Sequence, residues 1–200
     1  MAASASQDRN MNVRARILGD AQRLIAARGF TGVGLSEILR SAGIPKGSFY
    51  YWFASKEAFG ADLLRFYFEN YLRELDEMLS DQDATARERL SNYWRFWRDN
   101  QESNDLEGKC LAVKLAAEVS DISEDMRNVL SAGTTAIIGR ITNVLEEGFE
   151  DGSILTSVDA KELAETLYQI WLGASLMTKI TRNAAPFDAA LKATDQMLQS

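Results

Sequence analysis

Apolar residues recur at intervals of three and four through most of this 200-residue chain, the spacing that gathers them on one face of an α-helix. The pattern predicts helices over Asn12 to Arg28, from Leu35 to a close at Ala42 and Gly43, from about Pro45 to Phe53, and over Lys56 to Leu79. Further helices are predicted over Ala84 to Glu102, Leu106 to Val119, Ser123 to Glu150, Val158 to Thr181 and Phe187 to Gln199. No strand signal of any length interrupts them, so the expected fold is all-α. The breaks have local causes. Gly43 takes left-handed dihedrals without a steric penalty and ends a helix, whereas Pro45 fits only a first turn. Ser123-Glu124-Asp125-Met126 reads as a hydroxyl cap followed by an acidic first turn, and Asp151-Gly152-Ser153 as a stop.

The stretch Phe30 to Glu57 differs from the rest. It holds two short helices joined by a tight turn, with Leu35, Ile38 and Leu39 facing inward on the first, and Phe49, Trp52 and Phe53 forming the core stripe of the second. Lys46, Gly47, Ser48, Tyr50 and Tyr51 are left outside. A short helix that presents one cation, small residues and phenol hydroxyls can enter a major groove and brace on phosphates. Lys46 and Lys56 are the expected phosphate contacts, with Thr31 and Gly34 adding hydroxyl or backbone contacts at the start of the preceding helix. The plain alternative for both lysines is an ordinary solvated charge.

Charge sharpens that picture. Residues 1–56 carry eight Lys and Arg against three Asp and Glu, a net +5, on a chain whose total is −7, so the remainder carries −12. A basic end on an acidic body steers one end toward phosphates. The division expected is therefore a helix-turn-helix DNA-binding domain at 1–56 and a helical sensing and dimerisation domain at 57–200. An apolar content of 46% supports a sizeable core. No run of about 18 apolar residues is present, and Met1 to Asn10 has no secretory character, so a cytoplasmic protein is expected. A solitary cysteine fits a reducing compartment. The absence of histidine removes His-based acid–base relays, Cys–His and Ser–His nucleophiles and His-ligated metal sites. No Gly-rich phosphate loop follows a strand. The expectation is a protein that is not an enzyme, with no catalytic residue, cofactor or metal.

The helix-turn-helix run, with the preceding helix ending Arg28-Gly29-Phe30, resembles the TetR/AcrR family of one-component bacterial repressors. Gly108-Lys109-Cys110-Leu111-Ala112-Val113-Lys114-Leu115, Ala117-Glu118-Val119, Ser123 to Arg127, Trp171-Leu172-Gly173-Ala174 and Lys179-Ile180 extend the resemblance to its electrophile-sensing repressors of an N-ethylmaleimide reductase gene. It covers nearly the whole chain after about Asn12. Where the family often carries Phe-Tyr-His-Tyr-Phe, this chain has Phe49-Tyr50-Tyr51-Trp52-Phe53, a departure that bears on which operator is read, not on whether DNA is bound.

Three further constellations take meaning from that resemblance. Cys110 stands at a helix start, where orphan amides and the positive dipole end favour thiolate, and Lys114 follows four residues on. Read alone, it is either a buried apolar filler or a reactive thiol. The resemblance implies a sensor, with Lys179 nearby to stabilise the thiolate or to trap oxidised sulfur through a sulfur–nitrogen bond. Trp94, Trp97, Tyr168 and Trp171, with Met177 beyond, read as core, as the lining of a ligand pocket, or as both. Leu172, Gly173, Ala174, Leu176 and Ile180 form a small-residue apolar surface, and the resemblance implies that the last two long helices build a four-helix interface across a twofold axis. The resulting expectation is a homodimer bound to double-stranded operator DNA and released when reactive electrophiles or oxidants modify Cys110, controlling neighbouring detoxification genes such as reductases. The alternative keeps the DNA reading and replaces the switch with reversible binding of a small apolar or aromatic ligand beside an inert Cys110.

Overall fold

The computed structural model describes residues 2–102 and 111–199, with side chains at 13–101 and 111–199. Every regular element among the described residues is a helix: α1 (Ala2–Arg28), α2 (Leu35–Ser41), α3 (Lys46–Trp52), α4 (Lys56–Leu79), α5 (Ala86–Glu102), α6 (Leu111–Val119), α7 (Glu124–Glu150), α8 (Ala160–Thr181) and α9 (Ala185–Met197). The expected α6 start at Leu106 lies outside the described residues.

Local chemistry sets the boundaries. The Glu37 carboxylate accepts from the Gly34 amide at 3.1 Å, and Gly34, lacking a side chain, offers only its carbonyl to the amides of Glu37 and Ile38. Gly43, at φ +62°, closes α2. Pro45 lies just outside α3 as its cap, at φ −65° and ψ 150°. Ser123 caps α7 by accepting from the Met126 amide at 3.3 Å. Asp159 caps α8 by accepting from the amides of Lys161 and Glu162, so α8 begins at Ala160 and not at Val158. α9 starts two residues before Phe187 because Pro186 is tolerated in a first turn. α1 reaches back past Asn12 to Ala2, since those residues include neither glycine nor proline to stop it.

The chain divides into two compact units, Met1–Asn70 with Asp105–Ala132, and Tyr71–Asn104 with Gly133–Ser200. In the first, Ile17, Ile25, Phe30, Ile38, Phe49, Phe53 and Phe59 are buried, and the rings of Phe49, Phe53 and Phe59 lie 4.9–5.6 Å apart. α4 meets this core through Gly60, where an added Cβ would lie 2.7 Å from both Phe30 and Met126. In the second unit Trp94 stacks on Trp171 at 4.9 Å and 13°, and Phe187 of α9 stacks on Trp171 as well, at 5.9 Å and 27°. The indole N–H groups of Trp97 and Trp171 donate to Ser175 at 2.9 Å and Thr194 at 3.1 Å, so burial costs them no hydrogen bond. Buried Arg89 joins α5 to the α4 end through the Leu79 carbonyl at 2.7 Å and to α7 through Glu147 at 2.5 Å.

Candidate nucleic-acid interface and sensor

α3 is anchored by Phe49, which is fully buried, and by Phe53 just beyond its last residue. Its remaining residues face out: Lys46 and Gly47 are exposed, Ser48 is half-buried, and Tyr50 and Tyr51 are 57% and 71% exposed. The sequence puts Trp52 in the core stripe, and the structure corrects this. Trp52 is only half-buried and stands edge-on to Tyr51 at 4.8 Å and 90°, so its ring props a neighbouring phenol. Tyr50 is braced the same way on Phe49 at 5.6 Å and 88°. α3 contains no carboxylate, which leaves its exposed face with one ammonium and two phenols oriented by aromatic edges.

The turn between α1 and α2 is held from several sides. Arg28, ending α1, pairs with Glu37 at 2.6 Å and donates to the Gly32 carbonyl at 3.0 Å. That guanidinium, with the Gly34 amide, holds the Glu37 carboxyl below the usual carboxylate range. Lys56 donates to the Phe30 carbonyl at 2.9 Å, with its ammonium 4.7 Å from the Phe30 ring centre, so it braces the turn from within the chain while Lys46 stands exposed. Gly34 is exposed beside the α2 start. Thr31 is exposed too, yet its hydroxyl and amide both donate to Glu118 of α6, and the Phe30 amide donates to the same carboxylate at 3.1 Å. Burial opposes ionisation of Glu118, but these donors and the nearby Lys114 outweigh it and keep its carboxyl below the ordinary value of 4.5.

Cys110 lies outside the described residues, immediately before Leu111, the first residue of α6. Lys114, on the next turn, reaches the Ala27 carbonyl of α1 at 3.5 Å. Lys179 is exposed in the last turn of α8, where the helix dipole favours a cation. Among the described residues no group of three or more His, Cys, Asp and Glu is placed to hold a metal ion, and no helix is long and apolar enough to cross a membrane.

The expected pocket residues separate into two sets. Trp94, Trp97, Tyr168 and Trp171 pack ring against ring and are buried. A cleft of about 150 Å³ runs along Trp94 with Arg87, Ser91, Arg95, Thr194 and Asp195 among its walls. Met177 belongs elsewhere: six residues past Trp171, it lies about 120° away around α8 and is 46% exposed. The expected interface residues also split. Ala174 is only 7% exposed, covered by its own chain on the stripe it shares with Leu167 and Trp171, so it belongs to the subunit core. Leu172 is half-buried, Gly173 is exposed, and Leu176 and Ile180 are 53% and 64% exposed. With Met177 they form an uncovered apolar strip on α8.

Glu118, Glu37 and Arg28 escape the sequence reading as working residues. Glu37 carries a local signal, three residues after the helix-capping Gly34. Glu118 carries none, because its partner Thr31 is 87 positions away.

Comparison with known proteins bears on all of these features. Residues 17–61 match the family described as bacterial regulatory proteins, tetR family, and residues 86–194 match the tetracyclin repressor-like C-terminal domain. The chain is similar to the HTH-type transcriptional repressor NemR of Escherichia coli strain K12, 38% identical over 180 residues, which is 90% of each protein. It is also similar to the HTH-type transcriptional repressor DhaR of Mycobacterium sp. strain GP1, 32% identical over 90% of this chain and 88% of that one. The crystal structure of E. coli NemR in its reduced form superposes with a TM-score of 0.88 at 38% identity, covering 94% of this chain and 97% of the other.

Proposed function

Because this chain belongs to the TetR family of bacterial regulatory proteins, we propose that it is a cytoplasmic, dimeric repressor that releases its operator when reactive electrophiles or oxidants modify Cys110. The observation that carries the DNA half is α3, a short helix anchored by a buried Phe49 and presenting Lys46, Tyr50 and Tyr51 to solvent without a carboxylate. We assign that role to a DNA-binding head at 1–56, with Lys46 on phosphate, Gly47, Ser48, Tyr50 and Tyr51 toward the groove, and Thr31, Gly34 and Lys56 shaping and flanking the turn. Residues 57–200 supply sensing and dimerisation.

The uncovered strip Leu172, Gly173, Leu176, Met177 and Ile180 supports dimerisation through α8 and α9, since a contiguous apolar face marks an interaction site. Two reading helices must meet successive major grooves about 34 Å apart, so a small change in their separation spoils register. For the sensing half, support comes from the position of Cys110 directly before α6 and from the likeness to a repressor crystallised in a reduced form. Lys179 would stabilise the thiolate or capture oxidised sulfur. A thiolate that adds to N-ethylmaleimide forms a carbon–sulfur bond, the maleimide carbon taking up a proton, which leaves a bulky neutral thioether where an anion stood. Neighbouring reductase genes are the natural targets. The second reading, a reversible apolar ligand, finds support in the aromatic walls of α5 and α8, although Trp94, Trp97, Tyr168 and Trp171 are packed against one another.

A titration of the purified protein on the duplex upstream of its own gene tests the class. Affinity is expected to exceed that for a scrambled duplex by about a thousandfold or more at physiological salt. Equal affinity for both would remove the repressor reading.

A further inference from the structure

We infer that Glu118 is the positioning residue through which α6 holds the DNA-reading head, clamping the α1–α2 turn in the orientation that binds the operator. The turn is built to receive an anion. Gly29 adopts φ +83°, which turns the next two amides, of Phe30 and Thr31, toward one point, and successive N–H groups arranged this way form an anion-binding nest. The anion found there is the Glu118 carboxylate, which accepts both amides and the Thr31 hydroxyl. The fit is close: an added Cβ at Gly29 would come within 2.8 Å of Glu118 Oε2. One turn earlier on the same face of α6, Lys114 Nζ lies 3.5 Å from the Ala27 carbonyl at the end of α1. α6 therefore grips the last turn of α1 with a cation and the following turn with an anion. The same turn leads into α2, whose first residues are fixed by Glu37 and Arg28, and the clamp thus bears on the whole helix-turn-helix.

The relay from the sensor rests on the function proposed above: α6 begins at Leu111, the residue after Cys110, and ends one residue past Glu118. A change that shifts or unwinds the start of α6 moves the carboxylate away from three donors at its other end. α6 is then a lever nine residues long, with the sensor at one end and the reading head at the other.

The test is operator affinity of Glu118→Ala, Glu118→Gln and the double variant with Thr31→Val, by fluorescence anisotropy on one labelled duplex, with a thermal melt of each. Glu118→Ala is expected to bind about tenfold more weakly than wild type. Glu118→Gln, whose carbonyl still accepts one amide, should lose less, and it carries the test if the alanine variant does not stay folded. Adding Thr31→Val to Glu118→Ala should cost less than it does in wild type, since the two share one interaction. N-ethylmaleimide should then weaken Glu118→Ala by a smaller factor than it weakens wild type. Wild-type affinity in both Glu118 variants would overturn the clamp. A lowered melt with the full effect of N-ethylmaleimide retained would overturn the relay, leaving Glu118 as ordinary scaffolding. If N-ethylmaleimide fails to release wild type while Glu118→Ala still binds weakly, the sensing reading fails and the clamp stands.

Discussion

Raising salt from 50 to 200 mM lowers operator affinity by roughly three to five decades, as for proteins that neutralise about six to ten phosphates. Its basis is the division of charge, +5 on residues 1–56 against −12 on the remainder. An acidic body contributes nothing to phosphate binding, so attraction is concentrated in the two heads and screening removes it steeply. Lys46→Ala should weaken binding to all sequences and reduce the salt slope by about one per head, because the residue is exposed at the start of α3. Lys56→Ala should act differently: its ammonium is spent on the Phe30 carbonyl and ring, so its loss loosens the turn and leaves the slope closer to wild type. An anisotropy titration across salt concentrations separates the two, and a flat dependence would contradict DNA binding by this head.

A charge on the outer face of α8 splits the dimer. Leu176→Glu or Ile180→Glu sets a carboxylate on a strip that is exposed in the single chain and covered in the proposed dimer, where an unpaired buried charge costs several kcal/mol. Monomers that no longer hold a two-half-site operator are the expected result in sedimentation and binding assays. Ala174→Glu is the wrong probe for this purpose, since Ala174 is covered by its own chain and the variant would damage the subunit core. A dimer unchanged by both Leu176→Glu and Ile180→Glu would move the interface off α8.

The helices and the reading surface were legible because both follow from short-range periodicity. Phe49 and Phe53 point inward, and Lys46, Tyr50 and Tyr51 outward, as a 3.6-residue period demands. The same period held the answer for α8: Leu167, Trp171, Ala174 and Ser175 form one buried stripe, which leaves Leu176, Met177 and Ile180 on the other side. Grouping residues by smallness and not by angle put Ala174 at the surface, and grouping by aromatic neighbourhood put Met177 in the core. Trp52 departs from the stripe: it is half-buried at the end of α3, edge-on to the exposed Tyr51. The long-range contacts that hold the turn could not be read. Glu118 meets Thr31 across 87 positions and Lys56 meets Phe30 across 26, and no local pattern encodes a pairing that only the tertiary fold creates.

The central claim is that DNA release is driven by chemistry at one sulfur, and it is tested most directly by N-ethylmaleimide added to the operator complexes of wild type and Cys110→Ser. Cys110 is the sole cysteine, so serine keeps approximate size and removes every thiol. The account predicts equal affinity of the two proteins before treatment, release of wild type at low reagent doses, and retention of DNA by Cys110→Ser at the same doses. Release of Cys110→Ser alongside wild type would contradict it and point to a reversible ligand site beside Trp94 and Trp171.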